Sequence, residues 1–143
     1  MKVKNLVQTK SRPVVSIDAG KSVEEAIRLM HRKKISALMV VDNKETVGIF
    51  TERDLVRCYV SKKEGARFRE IPVRDAMMSK LITAEADDEV CDVMTIMVDK
   101  NIRHLPVLEN GRVIAMLSIR DIIQSQVGKF TTEIDFLKDY INT

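Results

Sequence analysis

The sequence predicts a mixed α/β (α+β) fold. Two βαββα repeats pack through their sheets about a pseudo-twofold axis, and a further helix follows at the C-terminal end. Three observations carry that expectation. An apolar run leads into a hydroxyl residue and then an acid three positions later at residues 46–54, TVGIFTERD, and again at residues 113–121, VIAMLSIRD. Residues 16–55 align with residues 83–122 without a gap, at an offset of 67, the separation of Asp54 and Asp121. Ten of the forty aligned positions are identical, among them Ala19 and Ala86, Met30 and Met97, Asn43 and Asn110, and Arg53 and Arg120. A unit this small buries too little of a sheet to stand alone, so two are expected to share a core.

Each element follows from its own signals. Residues 3–7 are a short apolar and polar lead-in, and residues 14–17, after Pro13, read as a strand. Ser22 followed by Glu25 is a capping box that satisfies orphan N–H groups at a helix start. Val23, Ala26, Ile27 and Met30 then recur at i, i+3, i+4 and i+7, one apolar helix face. His31, Arg32, Lys33 and Lys34 suit the negative end of that helix dipole. Residues 37–41 and 47–50 read as buried strands joined by a turn at 42–45, and Thr51 opens a helix running to about Lys63. Residues 64–72 form a polar, basic linker that ends at Pro72.

The order then repeats. Thr83 and Ala84 replace Ser16 and Ile17, and Val90, Val93, Met94 and Met97 replace the four apolar helix positions. Residues 105–108 and 114–117 are the next strands, with a turn at 109–112. Ser118 caps the following helix, and Asp121 sits in its first turn, where exposed N–H groups favour negative charge. The expected division is residues 1–63, first repeat with its lead-in; 64–72, linker; 73–127, second repeat; and 128–143, a helical extension. In that extension Phe130, Ile134, Leu137 and Ile141 recur at helical spacing. Such a face must cover something, either the chain's own repeats or a second subunit.

Bulk composition narrows the class. With 45% hydrophobic and 31% charged residues, the chain is globular and not disordered. No apolar run approaches the roughly 18 residues of a membrane span, and no signal-peptide apolar core opens the chain, so a cytoplasmic location is expected. Cys58 and Cys91 lack metal-ligand spacing and are expected to be reduced. The net charge is +3, with basic clusters at Lys2, Lys4, Lys10 and Arg12 and again over residues 57–74. Those clusters read first as solvated surface and second as a nucleic-acid contact.

Together these pieces resemble a CBS-domain pair, or Bateman module. The resemblance covers residues 14–123 and rests on GIFTERD at 48–54, AMLSIRD at 115–121, ISAL at 35–38, IRHLPV at 102–107 and VRDAM at 73–77. It implies a regulatory module that binds an adenosine nucleotide (AMP, ADP or ATP) in clefts between the repeats and acts on an unidentified protein through a conformational or dimer change. By that resemblance one cleft uses Ser118 and Asp121 with Arg103 and His104, and Ser16, Ile17 and Ile35 approach the base. The other uses Thr51 and Asp54, with Thr83, Ala84 and Ile102 around the base. A carboxylate can accept both hydroxyls of a ribose. A helix start offers N–H groups to an anion, and Arg103 offers a planar fork to phosphate. Arg103 and His104 face Ser36 and Ala37 in the alignment, so the Asp121 cleft is expected to hold phosphate better. Ala115 stands where the family usually has Gly, as at Gly48, and its methyl is expected to narrow that cleft.

Other readings of the same residues stay open. Thr51-x-x-Asp54 and Ser118-x-x-Asp121 are also helix caps, a role compatible with ligand binding. Arg53 and Arg120 are surface ion-pair partners or phosphate contacts. No nucleophile–base constellation, metal-ligand spacing or glycine-rich phosphate loop is present, so an enzyme is not expected. The alternatives are a nucleic-acid-associated regulator and a structural homodimer with vestigial clefts. With four Phe, two Tyr and no Trp, the chain offers little for base stacking.

Overall fold

The computed structural model describes residues 1–8 and 13–142. Lys10 and Arg12 of the N-terminal basic cluster lie outside the described residues. In chain order the helices are α1 (Val3–Gln8), α2 (Val23–Lys33), α3 (Glu52–Ser61), α4 (Val90–Asp99) and α5 (Ile119–Asn142). The strands are β1 (Ser16–Asp18), β2 (Ala37–Asp42), β3 (Glu45–Thr51), β4 (Ala84–Glu85), β5 (His104–Glu109) and β6 (Arg112–Ser118). The chain divides into a contiguous unit, Pro13–Leu81, and a composite unit that joins the N-terminal residues to Ile82–Thr143.

Each unit carries one three-stranded sheet. In the contiguous unit β1 runs parallel to β2, and β2 antiparallel to β3; β4, β5 and β6 repeat that order in the composite unit. The register slips between Val40 and Val41 and, at the aligned position, between Val107 and Leu108. Both hairpins close through two residues with positive φ, Asn43 and Lys44 at 50° and 67°, and Asn110 and Gly111 at 52° and 76°. That is the backbone twist that suits a two-residue hairpin.

The helices sit where their periodicity placed them. Glu25 N–H donates to Ser22 Oγ at 3.1 Å, and Ser22 N–H donates to Glu25 Oε2 at 2.9 Å, completing the expected capping box. Lys34 ends α2 with a left-handed backbone, φ 56°. Val23, Ala26 and Met30 are buried with Leu38, Val40 and Phe50 in one core. Val90, Val93 and Met97 are buried with Leu105, Val107 and Leu117 in the other. Strand β1 starts later than expected, at Ser16, although the Val15 carbonyl still accepts from Met39 N–H at 3.0 Å.

Backbone contacts of the lead-in segments cross the expected divisions. The lead-in helix α1 belongs to the composite unit and not to the repeat that follows it: Val3 N–H donates to Asp88 O at 2.9 Å and Lys4 N–H to Ala86 O at 2.8 Å. Residues 73–77 are placed reciprocally, with Val73 N–H on Lys21 O at 2.7 Å and Arg74 N–H on Ala19 O at 3.1 Å. Val3 and Val73 are each wholly buried. The stretch 64–72 is not a free linker, because Phe68 and Ile71 pack on the core and Ile71 O accepts from Val23 N–H at 2.8 Å. Finally, α5 runs unbroken through Gly128, so the C-terminal extension continues the last helix of the second repeat.

Candidate functional site

The two strand-to-helix corners are built alike. At the end of β3, Thr51 caps α3. Its N–H and hydroxyl both donate to Asp54 Oδ2, at 2.8 and 3.1 Å, and Asp54 N–H donates back to Thr51 Oγ1 at 3.4 Å. At the end of β6, Ser118 N–H donates to Asp121 Oδ2 at 3.0 Å, the Ser118 hydroxyl donates to the same oxygen at 2.5 Å, and Asp121 N–H donates to Ser118 Oγ at 3.1 Å. Both acids therefore cap their helices. A capping carboxylate holds its place through the backbone, which fixes the direction of its outer face.

The corners differ in what else reaches the carboxylate. Arg57, one turn along α3, donates through Nη2 to Asp54 Oδ1 at 2.8 Å and to the Ala76 carbonyl at 3.2 Å. Both oxygens of Asp54 are thereby engaged, and the residue is only 3% exposed, the one buried charged residue among those described. The aligned residue beside Asp121 is Gln124, which carries no charge. Asp121 itself is half-buried.

Strand pairing carries the expected basic residues to the second corner. His104 opens β5 and stands in register opposite Ser118. The Arg103 carbonyl accepts from Ile119 N–H at 2.8 Å, tying the start of β5 to the start of α5. Arg103 and Arg120 are exposed, and His104 is half-buried. The corresponding bond at the first corner, Glu52 N–H to Ser36 O, is 3.2 Å, and Ala37 stands opposite Thr51. The composite unit thus brings Arg103, His104, Ser118, Arg120 and Asp121 together, whereas the contiguous unit brings Ser36, Ala37, Thr51 and Asp54 together with Arg57.

The residues expected around the base are placed less directly. Ile17 and Ala84 point into their own cores, 8% and 2% exposed, so only their backbone faces outward. Ile35 and Ile102 are half-buried at matching positions just before β2 and β5, each donating its N–H to the carbonyl of a core methionine, Met30 or Met97. Ser16 is exposed on β1, and Thr83 precedes β4 half-buried.

Arg57 is the residue that sequence reasoning missed. Its i, i+3 spacing from Asp54 was legible as an ion pair, but the charge was grouped with the basic run 57–74. Gly48 also has a local reason to lack a side chain. A Cβ there meets Met77 Sδ at 2.6 Å and the Met78 carbonyl at 2.8 Å. Met78 pairs with the outer edge of β3 through Ile49, N–H to O at 3.0 and 2.9 Å. Close backbone approach explains this glycine without a ligand.

Among the described residues no group of His, Cys, Asp and Glu is placed to hold a metal ion. Within the same residues no helix is long and apolar enough to cross a membrane. Cys58 is buried, which pushes its thiol above the ordinary range against the pull of Lys62 and Arg57; Cys91 is exposed.

Comparison with known proteins places this geometry. The protein-family model described as "CBS domain" matches residues 3–61 and 73–128. Protein MK0525 of Methanopyrus kandleri is 38% identical over 110 residues, 73% of this chain. The mitochondrial CBS domain-containing protein CBSX3 of Arabidopsis thaliana is 33% identical over 84% of the chain. The chain spans 55% and 60% of the lengths of those two relatives. Among solved structures, the CBS-domain containing protein ATU1752 of Agrobacterium tumefaciens is 35% identical, with a TM-score of 0.82 over 88% of this chain and 99% of that one. The CBS domain pair of protein MJ0100, solved in complex with 5-methylthioadenosine and S-adenosyl-L-methionine, is 26% identical, with a TM-score of 0.77 over 90% of this chain and 98% of that one.

Proposed function

Because this chain belongs to the CBS-domain family, we propose that it is a regulatory module that binds an adenosine nucleotide at the Ser118–Asp121 corner. The single observation behind this choice of corner is strand register: His104 stands opposite Ser118 and the Arg103 carbonyl holds Ile119 N–H, where the first corner has only Ala37 and Ser36. Asp121 accepts the ribose hydroxyls, Ser118 supports the sugar or phosphate, and Arg103 with His104 and Arg120 meets the phosphate. The N-terminal N–H groups of α5 add their partial positive charge to that anion site. Adenosine is the moiety shared by the two ligands of the related MJ0100 pair, which supports the ligand class. AMP, ADP and ATP are favoured here because Arg103 and Arg120 lie on the two segments that meet at this corner. Binding shifts the module between two conformations or assemblies in proportion to the ligand's differential affinity for them, and so acts on a partner protein.

Thermal melting with AMP, ADP, ATP and S-adenosylmethionine tests the reading. A ligand at 100 times its dissociation constant adds about 2.7 kcal/mol to the folded state. Asp121→Ala is expected to lose most of that gain and Asp54→Ala little of it. No shift with any of the four ligands, or an Asp121→Ala variant that responds like the parent, would overturn the proposal.

A further inference from the structure

Beyond the family match, which ends at residue 128, α5 continues to Asn142 as an exposed helix among the described residues. From Val127 to Asn142 every residue is exposed. A helix of about that length is marginal in water by itself, and Gly128 weakens it further by about 1 kcal/mol relative to Ala. Yet its sequence is regular. Ile123, Val127, Phe130, Ile134, Leu137 and Ile141 alternate in steps of four and three, and all are 51–78% exposed. That is an a/d heptad seam, with Val127, Ile134 and Ile141 at a and Ile123, Phe130 and Leu137 at d. β-branched residues at a favour two parallel strands.

We propose that residues 123–141 form a parallel two-stranded coiled coil with a second copy of this chain. Charge fixes the orientation. Glu133 occupies a g position and Lys138 the following e position. In a parallel pair each g faces the e′ five residues on, so Glu133 of one copy meets Lys138 of the other, twice by symmetry. In an antiparallel pair g faces g′ and e faces e′. The g residues are Gln126, Glu133 and Tyr140, and the e residues are Gln124, Thr131 and Lys138. Neither set contains an opposite charge for its own member, whatever the offset. Phe136 falls at c, outside the seam. The inference is independent of any ligand.

Sedimentation equilibrium of the full chain tests it, and a dimer is expected. Ile134→Asp is expected to leave a monomer. Glu133→Lys places like charges at both crossings and is expected to raise the dimer dissociation constant about tenfold. Adding Lys138→Glu to it is expected to return that constant to within about twofold of the parent. In a Cys91→Ser background, Ile141→Cys is expected to oxidise to a covalent dimer, because in-register a positions face each other. A parent chain that is monomeric, or that associates only with another protein, overturns the proposal. So does a dimer indifferent to Ile134→Asp, a charge swap that fails to restore, or an Ile141→Cys variant that does not cross-link.

Discussion

Arg57 and Asp54 form the most buried charge contact described in this chain, 2.8 Å between Nη2 and Oδ1, with the carboxylate side chain 5% exposed and the guanidinium 49% exposed. The same guanidinium holds the Ala76 carbonyl at 3.2 Å. One side chain therefore ties the first corner to the segment 73–77 and occupies one carboxylate oxygen of Asp54. The second repeat has the uncharged Gln124 at that place. Two copies of one motif have thus diverged at a residue outside the motif.

Arg57→Gln copies the second repeat into the first. Losing the half-exposed ion pair is expected to cost about 1 kcal/mol, because water reaches the vacated carboxylate oxygen. In the Asp121→Ala background the same change is expected to restore stabilisation by the nucleotide, now at Asp54. Calorimetric titration of the double variant checks this. Absence of binding there would show that Arg57 does not gate the first corner.

Gly48→Ala is expected to destabilise by about 2 kcal/mol, since the new Cβ meets the Met78 carbonyl and cannot be relieved by a side-chain rotation alone. The urea midpoint should fall with an unchanged slope. Exchange of the Ile49 and Met78 amides should quicken, because they bond each other across that contact. A variant as stable as the parent would mean that the 73–78 segment shifts freely away from β3.

Acid should loosen α1 before it unfolds the cores. Lys2 Nζ lies 3.0 Å from Glu89 and Lys4 Nζ 2.9 Å from Asp87. Lys2 holds the Glu89 carboxyl below its ordinary 4.5, and Lys4 holds Asp87 below its ordinary 3.8. A carboxylate whose folded value is depressed stabilises above its unfolded value and loses that contribution as pH falls through the folded one. Protection of the Val3 and Lys4 amides should therefore be full at pH 7 and decline below about pH 4.5. Salt at pH 7 should weaken it only in part. Constant protection down to pH 3 would remove these pairs from the account.

The repeat architecture was legible because its signals are local. The capping box at Ser22, the i, i+3, i+4 face of Val23, Ala26 and Met30, and the strand-to-cap corners at Thr51 and Ser118 all lie within a few residues of what they specify. Placement of Arg103 and His104 with Ser118 was implied by the family resemblance, and the pairing of β5 with β6 sets His104 opposite Ser118. The reciprocal placement of the lead-ins was not legible. Val3 finds Asp88, and Val73 finds Lys21, across sequence separations where no local propensity speaks. Nor was the continuity of α5, which the expected boundary between residues 127 and 128 divides; Gly128 only lowers helix propensity. The engagement of Asp54 by Arg57 was hidden for another reason: Arg57 belongs to a run of basic residues, 57–74, and nothing local singles it out as the partner of the acid three positions before it.

The composite unit also has a consequence for biosynthesis. Pro13–Leu81 is complete once its own last residue leaves the ribosome, and its strands join neighbours close in sequence. The other half needs Val3 to wait for Asp88 and then for the strand that ends at Ser118. Closing so long a loop makes it the slower half to form. Until then Val3 and Leu6 wait with an apolar surface that side chains between Ala84 and Ile122 later cover.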